Sequence, residues 1–399
     1  MTALLPLEEA QARLLALASP LPVEHIAVEE AAGYYLAAPL LARRTQPAGD
    51  VSAMDGYAVA GGSLAGPWRV IGESAAGHPS GETVTAGDAV RISTGALIPP
   101  GAGAVILQED LSRAADTITL TGKAPHPADR HIRRRGMDFV EGASLLPGGT
   151  RIGPAQIALG IAADHTHLPV HRAAQVAILD CGDELARSDE PCLPHRIPAS
   201  NGAMLAAMLA AAGPCRIARL GPVPDRLDAF AAAFAGATDA DIIVTSGGAS
   251  VGDHDLVRPA LAAWGAKLDF WKVAIKPGKP LLVATRETGD RRQLIVGLPG
   301  NPASSLVTAH VFLLPVLRAL LGAGQPLPPS VTASLAAPLP AGGARREFRR
   351  ARWNGTTVDP TPEQDSGALA ALAASNALID IPASGNPRQA GDMVTIFPL

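Results

Sequence analysis

The segment Ile242-Ile243-Val244-Thr245-Ser246-Gly247-Gly248-Ala249-Ser250-Val251-Gly252-Asp253-His254-Asp255 decides the fold. Its first four residues, apolar or β-branched, read as a buried strand, and the Gly/Ser-rich turn leads into Leu256–Trp264, which reads as a helix. Strand, glycine loop and helix form the unit of a parallel α/β sheet, and the unit recurs on both sides. Upstream, strand Val176–Leu179 runs into Asp180-Cys181-Gly182-Asp183-Glu184, with helix Asn201–Ala212 beyond it and Ser200 as its N-cap. Downstream, strand Leu294–Gly297 opens into Leu298-Pro299-Gly300-Asn301-Pro302-Ala303-Ser304-Ser305 and helix Ala303–Leu321, while Arg226–Ala235 reads as one more helix. A parallel α/β domain is therefore expected over 175–324. The uncharged run Leu294–Leu317 is longer than a membrane span needs, but its three prolines, Asn301 and His310 mark it as buried structure.

Outside this region the pattern changes. Residues 7–18 carry an amphipathic helical period, which with 150–174 gives a helical/linker unit over 1–44 plus 150–174. From 45 to 149 short apolar runs (Trp68–Ile71, Ala89–Ile92, Ala104–Leu107, Thr117–Leu120) alternate with turn residues, as expected of an inserted β module. After the linker Gln325-Pro326-Leu327-Pro328-Pro329, residues 325–399 read as a small β domain. The 399 residues include 33 basic and 37 acidic side chains, a net charge of −4 that argues against a nucleic-acid binder. Three cysteines without a C-x-x-C, and an N-terminus without a basic leader, lead to the expectation of a reduced, cytoplasmic protein with no membrane association.

In an open parallel sheet, ligands sit outside the carboxyl ends of the strands. The three loops there are rich in Gly and small hydroxyl residues and run toward helix starts, where backbone amides and the helix dipole favour anions. Of the five lysines, three, Lys272, Lys276 and Lys279, fall within Trp271–Pro280. Placed on a strand, Lys272 and Lys276 share a face, and Pro277-Gly278 can turn Lys279 toward the same point. Converging ammonium groups beside amide-rich loops suit a diphosphate or an oxyanion, although lysines also protect edge strands. Asp183, Glu184, Asp253 and Asp255 add the carboxylates that recruit Mg²⁺ near phosphates, whereas Asp255 and Asp225 are equally placed to cap helices. Gly248-Ala249-Ser250-Val251-Gly252 fits a nucleophile elbow, but no well-placed histidine follows Ser250. The spacing of His165, His167 and His171 offers metal ligands without an obvious fourth.

Seven ordered motifs then carry a resemblance: Ser52–Val59, Ser93–Ala96, Arg135–Asp138, Gly182–Leu185, Thr245–Asp255, Ala274–Pro280 and Gly297–Ser304. In these the chain strongly resembles the molybdopterin molybdenumtransferases of the MoeA and gephyrin E-domain type. Asp365-Ser366-Gly367 and Gly391–Val394 extend the likeness into the C-terminal domain. The resemblance implies insertion of molybdate into adenylylated molybdopterin with release of AMP, a Mg²⁺ requirement, and an elongated homodimer. It also implies molybdopterin adenylyltransferase and molybdoenzyme maturation factors as pathway partners. A non-catalytic scaffold of the same fold is the alternative, and a Ser250 hydrolase a more distant one.

By motif position the resemblance carries over Asp55, Asp138, Glu184, Asp225, Asp255, Lys272, Lys276 and Lys279 as catalytic, with Glu184 and Asp255 toward the metal. Substrate contacts are expected from Thr94, Gly95, Ser246, Gly247, Gly248, Ser250, Gly252, Pro277, Gly278, Pro299, Gly300, Asn301, Pro302 and Ser304. The chain departs from the family in four places. Asp180-Cys181 replaces a usual Ser-Thr, Ala199 an Asp, Met137 an acidic residue, and Gly103 a frequent Asp.

Overall fold

A computed structural model describes residues 4–187, 189–248, 256–289 and 291–399. Its centre is a six-stranded sheet in the order Cys215–Arg219, Ala174–Asp180, Ile242–Ser246, Arg291–Leu298, Leu282–Thr288, Lys267–Trp271. The first four strands are parallel, as their βα repeats require. Leu282–Thr288 runs antiparallel to both its neighbours, so that the edge strand Lys267–Trp271 is again parallel to the first four, and the three strands expected from the sequence are all parallel. The reason for the reversal is chain length, since only two residues separate Leu282–Thr288 from Arg291–Leu298 and a parallel return needs a crossover of a dozen residues or more.

Alternation along the buried strands fills two cores. Val176, Ile178, Val244 and Val296 pack with Leu205, Leu209 and Phe312 on one face. Ala177, Leu179, Ile243 and Ile295 pack with Phe230 and Phe234 on the other. The uncharged run becomes the inner strand Arg291–Leu298 and a helix over Pro302–Leu320 that is long and apolar enough to cross a membrane but lies largely buried in the fold. A π-turn over Ala309–Leu313 interrupts that helix just before Pro315, whose ring removes one backbone donor. Helix Leu7–Leu17 buries Leu7, Ala10 and Leu14 in the first core, so the N-terminal helix packs on the α/β domain.

The remaining units hang on this centre. Val23–Ala27 pairs with His167–His171, and Leu40–Leu41 pairs with Ser144–Leu146. The strand at 144–146, expected within the β module, thus lies with the N-terminal unit, because an inserted module must bring its two ends together. The module itself is a six-stranded sheet with Val59, Trp68, Ile106 and Ile118 at its core. In the C-terminal domain Arg346–Trp353 pairs with both Thr357–Pro360 and Ala377–Ile381, which closes the sheet on itself.

Asp241 pins the N-terminal unit to the central sheet. It accepts both Arg172 guanidinium nitrogens at 2.8 Å, Arg291 at 3.1 Å and the Gln175 amide at 2.8 Å. Burial alone would raise its pKa, yet the Arg172 and Gln175 hydrogen bonds outweigh burial and hold the carboxyl below its ordinary value. The native state therefore binds this proton less tightly than the unfolded chain, and the stabilisation is lost as pH falls through the depressed pKa. Asp241→Asn should cost roughly 3 kcal/mol, the low end for a broken buried pair, because both arginines keep part of their hydration. Denaturant midpoints measured against pH should show the acid step attributable to Asp241 in the wild type and not in the variant.

Candidate functional site

Three loops meet at the carboxyl edge of the sheet, and one side chain ties two of them. Asn201, the first residue of its helix, donates to Ser246 Oγ at 2.9 Å and to the Gly300 carbonyl at 2.6 Å. The Cys181 amide donates to the Ser246 carbonyl at 2.8 Å, and the Gly247 amide donates to the Leu298 carbonyl at 3.1 Å. Gly247 has φ +93°, and a Cβ there would lie 2.4 Å from the Cys181 carbonyl oxygen, so only glycine lets these two loops close together. Ser246, Gly247, Gly248, Pro299, Gly300 and Asn301 are thus brought to one edge. Ser250, Gly252 and Asp255 lie outside the described residues.

Ser200 does not cap its helix as expected. Its backbone is helical, at φ −90° and ψ −25°, and its hydroxyl makes no capping bond. The acceptor is the buried Asp180, whose carboxylate takes the Gly202 amide and lies 3.7 Å from Arg219. Helix Leu227–Gly236 starts after N-cap residue Arg226, whose own side chain makes no capping bond. The Asp225 amide donates to Asp183 at 3.1 Å. Glu184 is exposed in the same loop.

The lysines are arranged differently from the expected single strand. Lys272 closes strand Lys267–Trp271 with φ +70°, a left-handed conformation uncommon outside glycine. Its amide donates to Leu281 at 2.9 Å, and the Val273 amide donates to Lys279 at 3.0 Å, which brings the two ends of the loop together. Lys276 belongs to another sheet, where Ile275–Lys276 pairs in parallel with Arg346–Glu347. The two lysines therefore share no strand face. The turn between Lys276 and Lys279 rests on the start of the next helix, since a Cβ on Gly278 would meet Thr308 at 2.4 Å and the Ser304 carbonyl at 3.7 Å. The loop thereby approaches the Pro299–Ser304 segment.

Each lysine has a different environment. Lys276 Nζ lies 3.3 Å from Glu347, which also takes Arg349 at 2.9 Å. Lys272 Nζ sits 3.7 Å from the Trp271 ring centroid, with the Arg258 guanidinium 4.4 Å from the same ring. Lys279 is exposed. Ser366 of the C-terminal domain closes this side, taking Asn301 Nδ2 at 3.0 Å and, through its carbonyl, the Ala303 amide at 3.0 Å.

Asp55 and Asp138 make their hydrogen bonds inside the β module. Asp55 accepts the Thr94 amide at 2.6 Å and its hydroxyl at 3.0 Å, and that amide is the main cause of its lowered pKa. Gly95 follows Thr94 on the same exposed turn. The Asp138 amide donates to Gln46 at 3.1 Å. The three histidines do not form a centre: His165 and His171 each bond a backbone carbonyl, and the described residues include no group of three potential metal-ligating side chains.

Sequence reasoning placed Asn201 only as a helix start and missed Trp271, Arg258 and Glu347. An asparagine opening a helix at the carboxyl edge of the sheet, and an arginine and a lysine flanking a tryptophan, are the signals that could have found them.

Loops with close-set glycines, a cationic turn and two attached β domains define a multidomain α/β protein whose polar site lies at its strand ends. Residues 5–163 match the MoeA N-terminal region (domain I and II), 177–319 a probable molybdopterin binding domain, and 332–399 the MoeA C-terminal region (domain IV). The chain is 33% identical to the molybdopterin molybdenumtransferase of Haemophilus influenzae, over 99% of this chain and 98% of that one. It is 34% identical to molybdopterin molybdenumtransferase 2 of Mycobacterium tuberculosis, over 94% of each. Its fold matches the molybdopterin biosynthesis MoeA protein of Pyrococcus horikoshii with a TM-score of 0.84 at 27% identity, covering 100% of both chains. The chain therefore belongs to the molybdopterin molybdenumtransferase family, the transferases of molybdenum cofactor biosynthesis.

Asp180 yields a test of the loop architecture. Burial raises its pKa, against the opposing pull of Arg219 and the Gly202 amide. A carboxyl whose folded pKa is raised is held protonated more tightly in the native state, so its contribution declines as pH rises from the ordinary carboxylate range through the raised value. Asp180→Asn keeps an acceptor for Gly202 and removes the charge. Across that window the variant should gain stability relative to wild type, and parallel stability–pH curves would contradict this.

Proposed function

We propose that this chain inserts molybdenum from molybdate into adenylylated molybdopterin and releases AMP. The observation that carries the reading is the approach of the cationic Lys272–Lys279 turn to strand-end loops joined through Asn201. The substrate's diphosphate needs compact positive charge and close backbone amides, and molybdate is a doubly charged oxyanion with the same need. Lys272, Lys276 and Lys279 supply the charge, while Gly247, Gly248 and Gly300 let the backbone come close. Water adds across the P–O–P link to give AMP and the phosphate-bearing cofactor half.

Glu184 is an exposed carboxylate in a loop that also carries Asp183, a hard-oxygen donor set that fits Mg²⁺. With Asp255 it would hold the ion, which when bound neutralises charge on the diphosphate. The three lysines bind and orient the anions. In a homodimer, Asp55 and Asp138 reach the site of the partner subunit, a reading supported by their hydrogen bonds lying wholly within the β module.

Purified protein given adenylylated molybdopterin, Mg²⁺ and molybdate should release AMP and form cofactor, whereas binding without turnover would favour a scaffold. Lys276→Met should lose one charge-assisted contact, about 1.5–3 kcal/mol or roughly ten- to hundredfold in kcat/KM. Folding should survive because Arg349 still holds Glu347. A second test is complementation under subunit exchange: mixed Asp55→Ala and Lys276→Ala chains should regain activity, and a site built within one subunit would show no recovery.

A further inference from the structure

Away from the strand-end loops, a cleft of about 940 Å³ opens where three segments meet. These are residues 147–151 with Tyr35 from the N-terminal unit, Arg318 on the last turn of the Pro302–Leu320 helix, and the proline linker 324–329. Its floor is tied together, as the Gly324 amide donates to the Gly149 carbonyl at 3.1 Å and Arg318 Nη1 to the Pro326 carbonyl at 3.4 Å. Two guanidinium groups, Arg151 and Arg318, line the cleft, and no carboxylate does. Among the described residues neither arginine makes an ion pair with an acidic side chain.

That arrangement is costly in isolation. A half-buried arginine normally has a counter-ion, because desolvating a charge without one is unfavourable. Arg318 shows the cost, since burial, with Arg151 adding to it, pushes its pKa below the usual value. Arg151 is exposed and donates to the Ala211 carbonyl at 3.5 Å, while half-buried Arg318 has, among the described residues, only the neutral Pro326 carbonyl, so a counter-charge for Arg318 would come from outside the fold. Two guanidinium groups lining one space suit an oxyanion with several acceptor oxygens, through the N–H donors that the Ala211 and Pro326 carbonyls leave open.

We propose that this cleft is a binding site for a phosphate-type oxyanion, with Arg151 and Arg318 as its cationic ligands. The anion would join the N-terminal unit, the central domain and the linker to the C-terminal domain at one point. The proposal stands apart from the molybdate-inserting reading and uses none of its residues. The phosphate group can arrive as an inorganic ion or on a nucleotide.

The test is calorimetric titration of inorganic pyrophosphate and of AMP, at low constant ionic strength, into wild type, Lys276→Met, and Lys276→Met combined with Arg151→Met or Arg318→Met. Wild type should bind both at the strand-end lysines and in this cleft, so the cleft is read on the Lys276→Met background: the binding that persists in Lys276→Met should weaken at least tenfold when Arg151→Met or Arg318→Met is added. Dependence on the arginines for pyrophosphate supports an inorganic ion, and dependence for AMP alone supports a nucleotide phosphate. Arg151 is exposed, so its replacement tests the site without threatening the core, and Arg318→Lys, which keeps the charge, should retain part of the affinity. Binding that persists in Lys276→Met and is unchanged on adding Arg151→Met, or that disappears entirely in Lys276→Met, would overturn the proposal.

Discussion

The site depends on where residues 272–276 put their backbone. The Ala274 amide donates to Leu5 at 2.8 Å, the Arg346 amide donates to Ala274 at 3.1 Å, and Ile275–Lys276 continues as an edge strand of the C-terminal domain. Arg345 adds a bond to the Ile275 carbonyl at 3.0 Å, and Arg346 bridges Asp380 and Glu8. One short segment is thus held by the N-terminus, the central domain and the C-terminal domain at once. Ordering a cationic loop costs conformational entropy, and like charges within it repel; hydrogen bonds to three parts of the chain offset both. The loop is fixed by the assembled domains, so a change in how the C-terminal domain seats would move Lys276 directly.

This also explains what could be read in the sequence. Strands Ile242–Ser246 and Arg291–Leu298 and helix Asn201–Ala212 were legible because their apolar runs are long and their turns carry glycine. Local patterns of that kind survive in one dimension. The position of Lys276 was not legible, because its strand is two residues long and its partner lies 71 residues away at Arg346–Glu347. Ser144–Leu146 escaped for the same reason, since its partner Leu40–Leu41 sits on the far side of an inserted module. The reversed strand Leu282–Thr288 was not among the strands read from the sequence, and periodicity marks a buried strand without giving its direction. Only the two-residue link between Leu282–Thr288 and Arg291–Leu298 points to its reversal.

Charge is distributed by burial across the chain. The deeply buried carboxylates Asp241 and Asp380 are engaged by arginines, Arg172 from the N-terminal unit with Arg291 of the same central domain for the first, and for the second Arg346, which also reaches Glu8 of the N-terminal unit. The carboxylates assigned to chemistry, Asp55, Asp138 and Glu184, are exposed. Such a division follows from solvation, since a buried charge must be paired to be tolerated, while a group meant to meet a ligand has to keep part of its capacity open.

Two of the departures from the family pattern become a single change in this light. The resemblance marks Ala199, just before N-cap residue Ser200, as a departure from an Asp, and Asp180 as a departure from a Ser. Asp180 reaches the same helix end from the strand below and accepts the Gly202 amide. A Cβ on Gly202 would lie 2.2 Å from Asp180 Oδ2, so the glycine makes room for that approach. The exchange keeps one carboxylate at the positive end of helix Asn201–Ala212, where it interacts favourably with the dipole. Asn201 is therefore presented to Ser246 and Gly300 from a helix start that is satisfied by a different residue in the same role. With the helix end served from within the sheet, the Asp180 carboxyl supports the start of the helix from which Asn201 reaches Ser246 and Gly300.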